Sequence, residues 1–174
     1  MSGFNFRTSV HANYPYPDVR IEEENSSYAR YILDNVGGHN SEMTTISFYF
    51  SSALHVNSEL ITLLNRINQV EMRHLMIFSS LAQKLGETAL LWTNCGRRKV
   101  WWSPSFIDYP ANLSEILENA YHGEQSTIEK YQWQMDKISD CYVKKILYRI
   151  IEDEKIHKNI FKQLIELNKA GTLR

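Results

Sequence analysis

The sequence of 174 residues predicts an all-α protein, a four-helix bundle with a long crossover between helices 2 and 3. Two observations predict this fold. Four long segments carry apolar residues at helical spacing, and two short turn signals join these segments into antiparallel hairpins. The third connection is much longer, so it has to cross the bundle before the second hairpin begins.

Residues 1–25 are predicted to form an extended N-terminal arm, because they contain Pro15 and Pro17 and end in an acidic run. The bundle domain is expected over residues 26–174. It opens with a short leading helix, which stops at Gly37-Gly38 because paired glycines are a helix stop signal.

The first hairpin is predicted from residues 41–56 and 59–85, each with an apolar face. Asn57-Ser58 interrupts the helical pattern and offers a cap for the next helix, which stops at Gly86.

The crossover is expected over residues 87–112. It contains Trp92, Trp101 and Trp102, and it has a hairpin turn signal at residues 94–96. We interpret this aromatic segment as cover for an exposed face of the bundle or as a dimer contact.

The second hairpin begins where helical spacing returns, at Asn112 or Ser114, and its first helix runs to about Lys137. Ser139-Asp140 is a turn and cap signal, and the last helix ends before Gly171.

The chain repeats itself once, at an offset of 82 to 83 residues. The repeat looks like one helical hairpin used twice, about a pseudo-twofold axis. Its matching pairs are Glu42 with Glu124, Tyr49 with Tyr131, Glu71 with Glu154, His74 with His157, and Phe78 with Phe161.

Each hairpin carries two glutamates at 14 or 15 residues from its turn, which places them level with each other, ~22 Å along the helices. The histidine three residues after the second glutamate faces the same way. Two hairpins packed face to face would therefore bring four glutamates and two histidines together in the core.

Burying four carboxylates without compensating charge is prohibitive, and two metal cations would remove the repulsion. A glutamate from each of two helices and a Glu-x-x-His from each of the other two is a known di-metal pattern. The alternative is that the Glu-x-x-His pairs are surface ion pairs, but the neighbouring apolar residues place them toward the core. The predicted metal ligands are Glu42, Glu71, His74, Glu124, Glu154 and His157.

Oxygen ligands with one nitrogen per metal suit iron or manganese better than structural zinc or soft copper. Tyr49 and Tyr131 lie two helical turns after Glu42 and Glu124, either as core filling or as hydrogen-bond partners of the ligands. The other histidines have no repeated context and are expected in solvent or capping positions; they are His11, His39, His55 and His122.

The segment Gly37-Gly38-His-Asn-Ser-Glu42-Met-Thr-Thr is similar to the Gly-Gly and Gly-Glu segment of manganese catalases and of the related spore-coat catalase-like proteins. The Glu-x-x-His copies are also shared with rubrerythrins, so the chain resembles the ferritin-like di-metal carboxylate group. The resemblance implies two iron or two manganese ions per chain, with Glu71 bridging them. It gives Glu154 either a ligand role or an acid–base role, and it makes Tyr49 a hydrogen-bond partner of the site.

Composition limits the partners. The formal net charge of −1 gives no reason to expect nucleic acid, and no apolar run is long enough to span a membrane. Cys95 and Cys141 are isolated, so reduced thiols in a cytoplasmic protein are expected, and the resemblance also allows a spore-associated one. A homo-oligomer, a dimer or larger, is expected on symmetry grounds.

The leading functional hypothesis is a catalase-type or peroxidase-type enzyme that acts on hydrogen peroxide, with Glu154 and Tyr49 as candidate catalytic residues. The sequence has no C-x-x-C pair, so electrons for a peroxidase would come from an external donor. One alternative is ferroxidation or iron handling with dioxygen. Another is a structural spore-coat protein that retains the bundle.

Overall fold

The computed structural model describes residues 4–96 and 98–173. It is mostly helical, which confirms the predicted fold class. The described residues form five α-helices, which are α1 (Ser26–Gly37), α2 (Glu42–Ala53), α3 (Ser58–Lys84), α4 (Leu113–Lys137) and α5 (Cys141–Lys169). Within the described ranges no helix is long and apolar enough to cross a membrane.

Side-chain caps fix where each helix begins. Every N-cap is an asparagine, serine or aspartate whose oxygen accepts hydrogen bonds from amides of the first turn. The caps are Asn25, Ser41, Asn57, Asn112 and Asp140. Two of them, Asn57 and Asp140, lie in the predicted turns, so the two hairpins are joined where the sequence indicated.

The first helix of the bundle is divided into α1 and α2, and both halves pack against the longer α3. The leading helix is therefore as long as α2, with 12 residues in each. The chain breaks where a β-carbon added at Gly37 would lie 2.4 Å from the backbone nitrogen of Trp92. Only glycine permits this close approach between α1 and the crossover, and the break leaves Glu42 as the first residue of α2.

The crossover contains an antiparallel hairpin of β1 (Trp92–Cys95) and β2 (Arg98–Trp101), in which Trp92 lies opposite Trp101. The predicted hairpin is confirmed, with Gly96 at φ +62° in the turn. Trp92 is buried, Trp101 is exposed, and the Trp102 indole donates a hydrogen bond of 3.0 Å to Thr44 Oγ1. The crossover thus covers the α1–α2 side of the bundle with two of its three tryptophans.

The core consists of two apolar clusters at different heights along the bundle. On α3, residues 60–70 belong to one cluster and residues 78–85 to the other. On α5, residues 143–151 share a cluster with residues 78–85, and residues 160–164 share the other cluster with residues 60–70. The Glu-x-x-His segments lie between the clusters on both helices, so the fold places its buried polar layer at mid-height.

Candidate metal centre

All six predicted ligands meet in this polar layer. They come from four helices, and each is at most 3% exposed. Glu42 begins α2, Glu71 and His74 lie on α3, Glu124 on α4, and Glu154 and His157 on α5. The sequence prediction that these side chains converge is therefore correct as geometry.

The six side chains form two overlapping groups, each able to hold a metal ion. Glu42 and His74 belong to the first group, and Glu124 and His157 belong to the second. Glu71 and Glu154 belong to both, and the potential ligand atoms of each group lie within 4.8 Å of one another. The arrangement therefore offers two candidate metal positions that share two carboxylates.

The shared carboxylates reach both histidines. Glu71 Oε2 lies 3.2 Å from His74 Nδ1, and Glu71 Oε1 lies 2.9 Å from His157 Nδ1. Glu154 faces the same two nitrogens. Its Oε1 lies 3.1 Å from His74 Nδ1, and its Oε2 lies 3.1 Å from His157 Nδ1. Neither Glu71 Oε1 nor Glu154 Oε1 has a hydrogen-bond donor among the described residues. Buried carboxylate oxygens without a donor are what a cation would satisfy.

Hydrogen bonds on the outer side of the two histidine rings favour a proton on Nε2 in both. His157 Nε2 lies 2.8 Å from the carbonyl oxygen of Val10, which can only accept. His74 Nε2 lies 3.1 Å from Asp153 Oδ2 and 3.2 Å from the Tyr16 hydroxyl. Metal binding requires the neutral ring, and a proton on Nε2 then directs the lone pair of Nδ1 inward. Once the ring has lost its second proton, each histidine can present Nδ1 to a metal among the carboxylates.

The six candidate ligands fit two divalent cations. Four carboxylates and two Nδ1 lone pairs supply only acceptors, and two such cations would balance the four carboxylate charges. In the metal-free chain, burial and then repulsion from Glu71 and Glu154 raise the pKa of Glu42 and of Glu124 well above the usual value. The cluster therefore takes up protons when no metal compensates its charge.

The tyrosines link the two halves of the repeat. The Tyr49 hydroxyl on α2 donates to Glu124 on α4, and the Tyr131 hydroxyl on α4 donates to Glu42 on α2. Their rings pack on phenylalanines of the opposite half, with centroids 5.6 Å apart for Tyr49–Phe161 and 5.2 Å for Tyr131–Phe78. Burial raises the pKa of both hydroxyls well above 10, so they remain donors.

One cavity leads toward the cluster. It has a volume of about 280 Å³, lies between α2, α4 and residues 106–108, and is lined by both Tyr49 and Glu124. Gly123 and His122 line its α4 side. It thus approaches the second metal position, that of Glu124 and His157.

Sequence reasoning missed Asp153 and Arg149. Asp153 is fully buried and bonds to Arg149 Nη1 at 2.6 Å. Burial raises the pKa of the Asp153 carboxyl, but hydrogen bonds from His74, Tyr16 and the Ala12 amide more than reverse this and hold it well below its usual range. The sequence did contain a signal for Arg149, since it repeats Arg66: each arginine lies five residues before one of the two shared glutamates. Val70 stands at the repeat position of Asp153, so the aspartate had no such signal.

Comparisons with known proteins agree with this fold. The structure resembles wild-type KatB, a manganese catalase from Anabaena, with a TM-score of 0.80 and 20% identity over 94% of this chain and 81% of that chain. A second KatB structure, from Anabaena PCC7120, gives a TM-score of 0.79 with the same identity and coverage. Protein CotJC of Bacillus subtilis (strain 168) is 22% identical over 88% of this chain and 90% of its own length.

A family model described as Rubrerythrin matches residues 37–165, which include all six predicted ligands. The match and the shared fold confirm the resemblance to the ferritin-like di-metal group. The chain belongs to the rubrerythrin family.

Proposed function

We propose that this chain is a di-metal oxidoreductase that acts on hydrogen peroxide. The observation that carries the proposal is the pair of shared carboxylates, Glu71 and Glu154, each of which directs one oxygen toward each histidine. Membership of the rubrerythrin family and the likeness to a manganese catalase support a di-metal, peroxide-related role.

In this proposal, Glu42 and His74 bind one metal, Glu124 and His157 bind the other, and Glu71 and Glu154 bind both. Oxygen ligands with one nitrogen per metal favour iron or manganese. Two such ions supply charge stabilisation and a two-electron change without a radical. We favour the ligand role for Glu154 over an acid–base role, since its two oxygens face the two histidines as those of Glu71 do.

The chain's own contribution to proton transfer is assigned to Tyr49. Tyr49 and Glu124 both line the cavity, and the Tyr49 hydroxyl donates to Glu124 Oε1. A buried phenol that keeps its proton can orient a small polar substrate and pass a proton between that substrate and the carboxylate. The apolar clusters above and below the site exclude bulk water from those two sides.

The test is peroxide turnover by the protein loaded with iron or with manganese. A catalase-type reaction releases dioxygen, whereas a peroxidase-type reaction releases only water and requires an external electron donor. The Glu71→Gln variant should lose turnover in either case, and Glu59→Gln, an exposed glutamate on the same helix, should retain it. Unchanged turnover in Glu71→Gln, or none in the loaded wild type with or without a donor, would reject the proposal.

A second candidate is a spore-associated structural protein, which the likeness to Protein CotJC favours. On this alternative the bundle would form a homo-oligomer whose assembly does not depend on the ligands. Glu71→Gln would then assemble as the wild type does, and the loaded wild type would not consume peroxide.

A further inference from the structure

The arm over residues 4–25 is held on the bundle by two arginines of the repeat. Arg66 on α3 donates hydrogen bonds of 3.0 and 2.6 Å to the carbonyl oxygens of Phe6 and Thr8. Arg149, its repeat partner on α5, donates hydrogen bonds of 3.0 and 3.2 Å to two further arm carbonyls, those of Tyr14 and Ala12. The arm therefore crosses from α3 to α5 between two equivalent anchors.

Val10 lies between these anchors and Tyr16 follows the second one, and they reach the two histidines from the side opposite the four glutamates. The Val10 carbonyl accepts from His157 Nε2 at 2.8 Å. The Tyr16 hydroxyl lies 3.2 Å from His74 Nε2, with the two rings edge to face at 5.9 Å. Val10 is 4% exposed, so its contact with His157 is shielded from water.

Asp153 joins the arm to His74. Its Oδ1 accepts from the Ala12 amide at 2.7 Å and from Arg149 Nη1 at 2.6 Å. Its Oδ2 accepts from the Tyr16 hydroxyl at 2.5 Å and from His74 Nε2 at 3.1 Å. Each carboxylate oxygen therefore has one partner in the arm and one on the bundle helices.

We propose that Val10 and Tyr16 of the arm, together with Asp153, form a positioning element that holds both histidine rings with Nδ1 toward the metal positions and thereby sets metal affinity. The inference rests on the proposed function, because it assumes that Nδ1 binds metal. The physical reason is that partners on the outer nitrogen fix the ring orientation and tautomer, so less ordering remains to be done when the metal binds.

The two histidines are held unequally. His74 has a carboxylate and a hydroxyl on Nε2, whereas His157 has a backbone carbonyl. A carboxylate partner makes the imidazole a stronger donor than a carbonyl partner does. Changes at Tyr16 or Asp153 should therefore weaken one of the two metal-binding steps and leave the other near its wild-type value.

The experiment compares Mn²⁺ binding to the full chain and its variants, with free Mn²⁺ measured by electron paramagnetic resonance. Tyr16→Phe removes only the hydroxyl, and Asp153→Asn removes the charge. Tyr14→Phe is the matched control, because Tyr14 lies in the same arm and packs on Arg149 through its ring, which phenylalanine retains. Thermal unfolding of the metal-free variants is measured alongside.

We expect the Mn²⁺ dissociation constant of one binding step to rise about 10-fold in Tyr16→Phe and about 10- to 100-fold in Asp153→Asn. Tyr14→Phe should bind as the wild type does. If the arm only covers the core, Tyr16→Phe would lower the melting temperature of the metal-free chain and leave both Mn²⁺ steps unchanged, which would overturn the inference. An equal weakening of both steps would also overturn it.

Asp153→Asn leaves the buried Arg149 charge unpaired, so this variant carries a folding risk. Tyr16→Phe alone then decides the question. A wild-type chain that binds no Mn²⁺ would reject the proposed function and this inference together. Wild-type binding of two Mn²⁺ ions with Tyr16→Phe indistinguishable from it would reject the inference alone.

Discussion

Glu71 and Glu154 occupy equivalent positions between the two histidines. Each carboxylate directs one oxygen at His74 Nδ1 and the other at His157 Nδ1, over distances of 2.9 to 3.2 Å. This equivalence follows from the internal repeat, since the two glutamates are the matching residues of the two Glu-x-x-His segments. The proposed di-metal site rests on these two carboxylates, since each of them faces both histidines.

The equivalence predicts that Glu154→Gln behaves as Glu71→Gln does. Each variant should lose bound metal, because an amide that replaces a shared carboxylate removes one negative charge and one strong ligand atom. Metal content per chain measured after dialysis checks this, with the exposed Glu166→Gln on α5 as the control. Full metal content with lost turnover in Glu154→Gln would instead assign it the acid–base role.

Tyr49 and Tyr131 should contribute equally to stability, but only Tyr49 should contribute to peroxide turnover. Tyr49→Phe and Tyr131→Phe each remove one hydroxyl that donates to a buried glutamate. Each should lower the unfolding free energy of the metal-free chain by about 1–3 kcal/mol. Only Tyr49 lines the cavity, so Tyr49→Phe should also lower kcat for peroxide, by about 100-fold. Equal kcat values in the two variants, measured with full metal loading, would remove Tyr49 from the proton-transfer role.

Substitutions at Gly123, which lines the cavity, test whether peroxide reaches the site through it. A β-carbon at this helical position meets no atom within 4 Å, so Gly123→Ala should stabilise α4 by up to about 1 kcal/mol. Gly123→Leu should extend into the cavity and lower kcat/KM for peroxide, with metal content unchanged. Steady-state kinetics of the three proteins checks this. Wild-type kcat/KM in Gly123→Leu would indicate that the substrate arrives by another path.

The pH dependence of stability should differ between the metal-free and the metal-loaded chain. Burial lowers the pKa of His74 and His157, but the facing carboxylates more than reverse this, so both pKa values are raised well above 6.5. The stability that the protonated histidines contribute is therefore complete below about pH 6.5 and lost as the pH rises through the folded-state pKa.

The raised pKa values of Glu42 and Glu124 act in the same direction, from pH 4.5 upward. The melting temperature of the metal-free chain should fall as the pH rises above 6.5. Metal binding needs deprotonated ligands, so the difference between the loaded and the metal-free melting temperatures should widen with pH. A difference that narrows as the pH rises would contradict this account of the cluster.

Much of the candidate site was predictable because the sequence contains its pattern of glutamates and Glu-x-x-His twice. The repeat placed Glu71 and Glu154 on equivalent stripes, and equal spacing from the turns put the glutamates at one height. The cap residues Asn57 and Asp140 begin helices where the turn signals indicated. Periodicity and capping act over a few residues, so a single sequence reports them directly.

The contacts of the arm were not predictable in the same way. Tyr16 meets Asp153 across 137 residues of chain and Val10 meets His157 across 147, and no periodic pattern connects these pairs. The helix stop at Gly37-Gly38 was predicted, but the close approach of Gly37 to Trp92 is a tertiary contact that no local pattern reports. Long-range packing of irregular segments depends on the assembled bundle, so the sequence pattern carries little trace of it.

The most direct test of the di-metal site is elemental analysis of the freshly purified protein, with iron, manganese and zinc counted per chain. The account predicts about two atoms of iron or manganese per chain, one for each group of ligands. No bound metal, and none taken up on reconstitution with either ion, would contradict it.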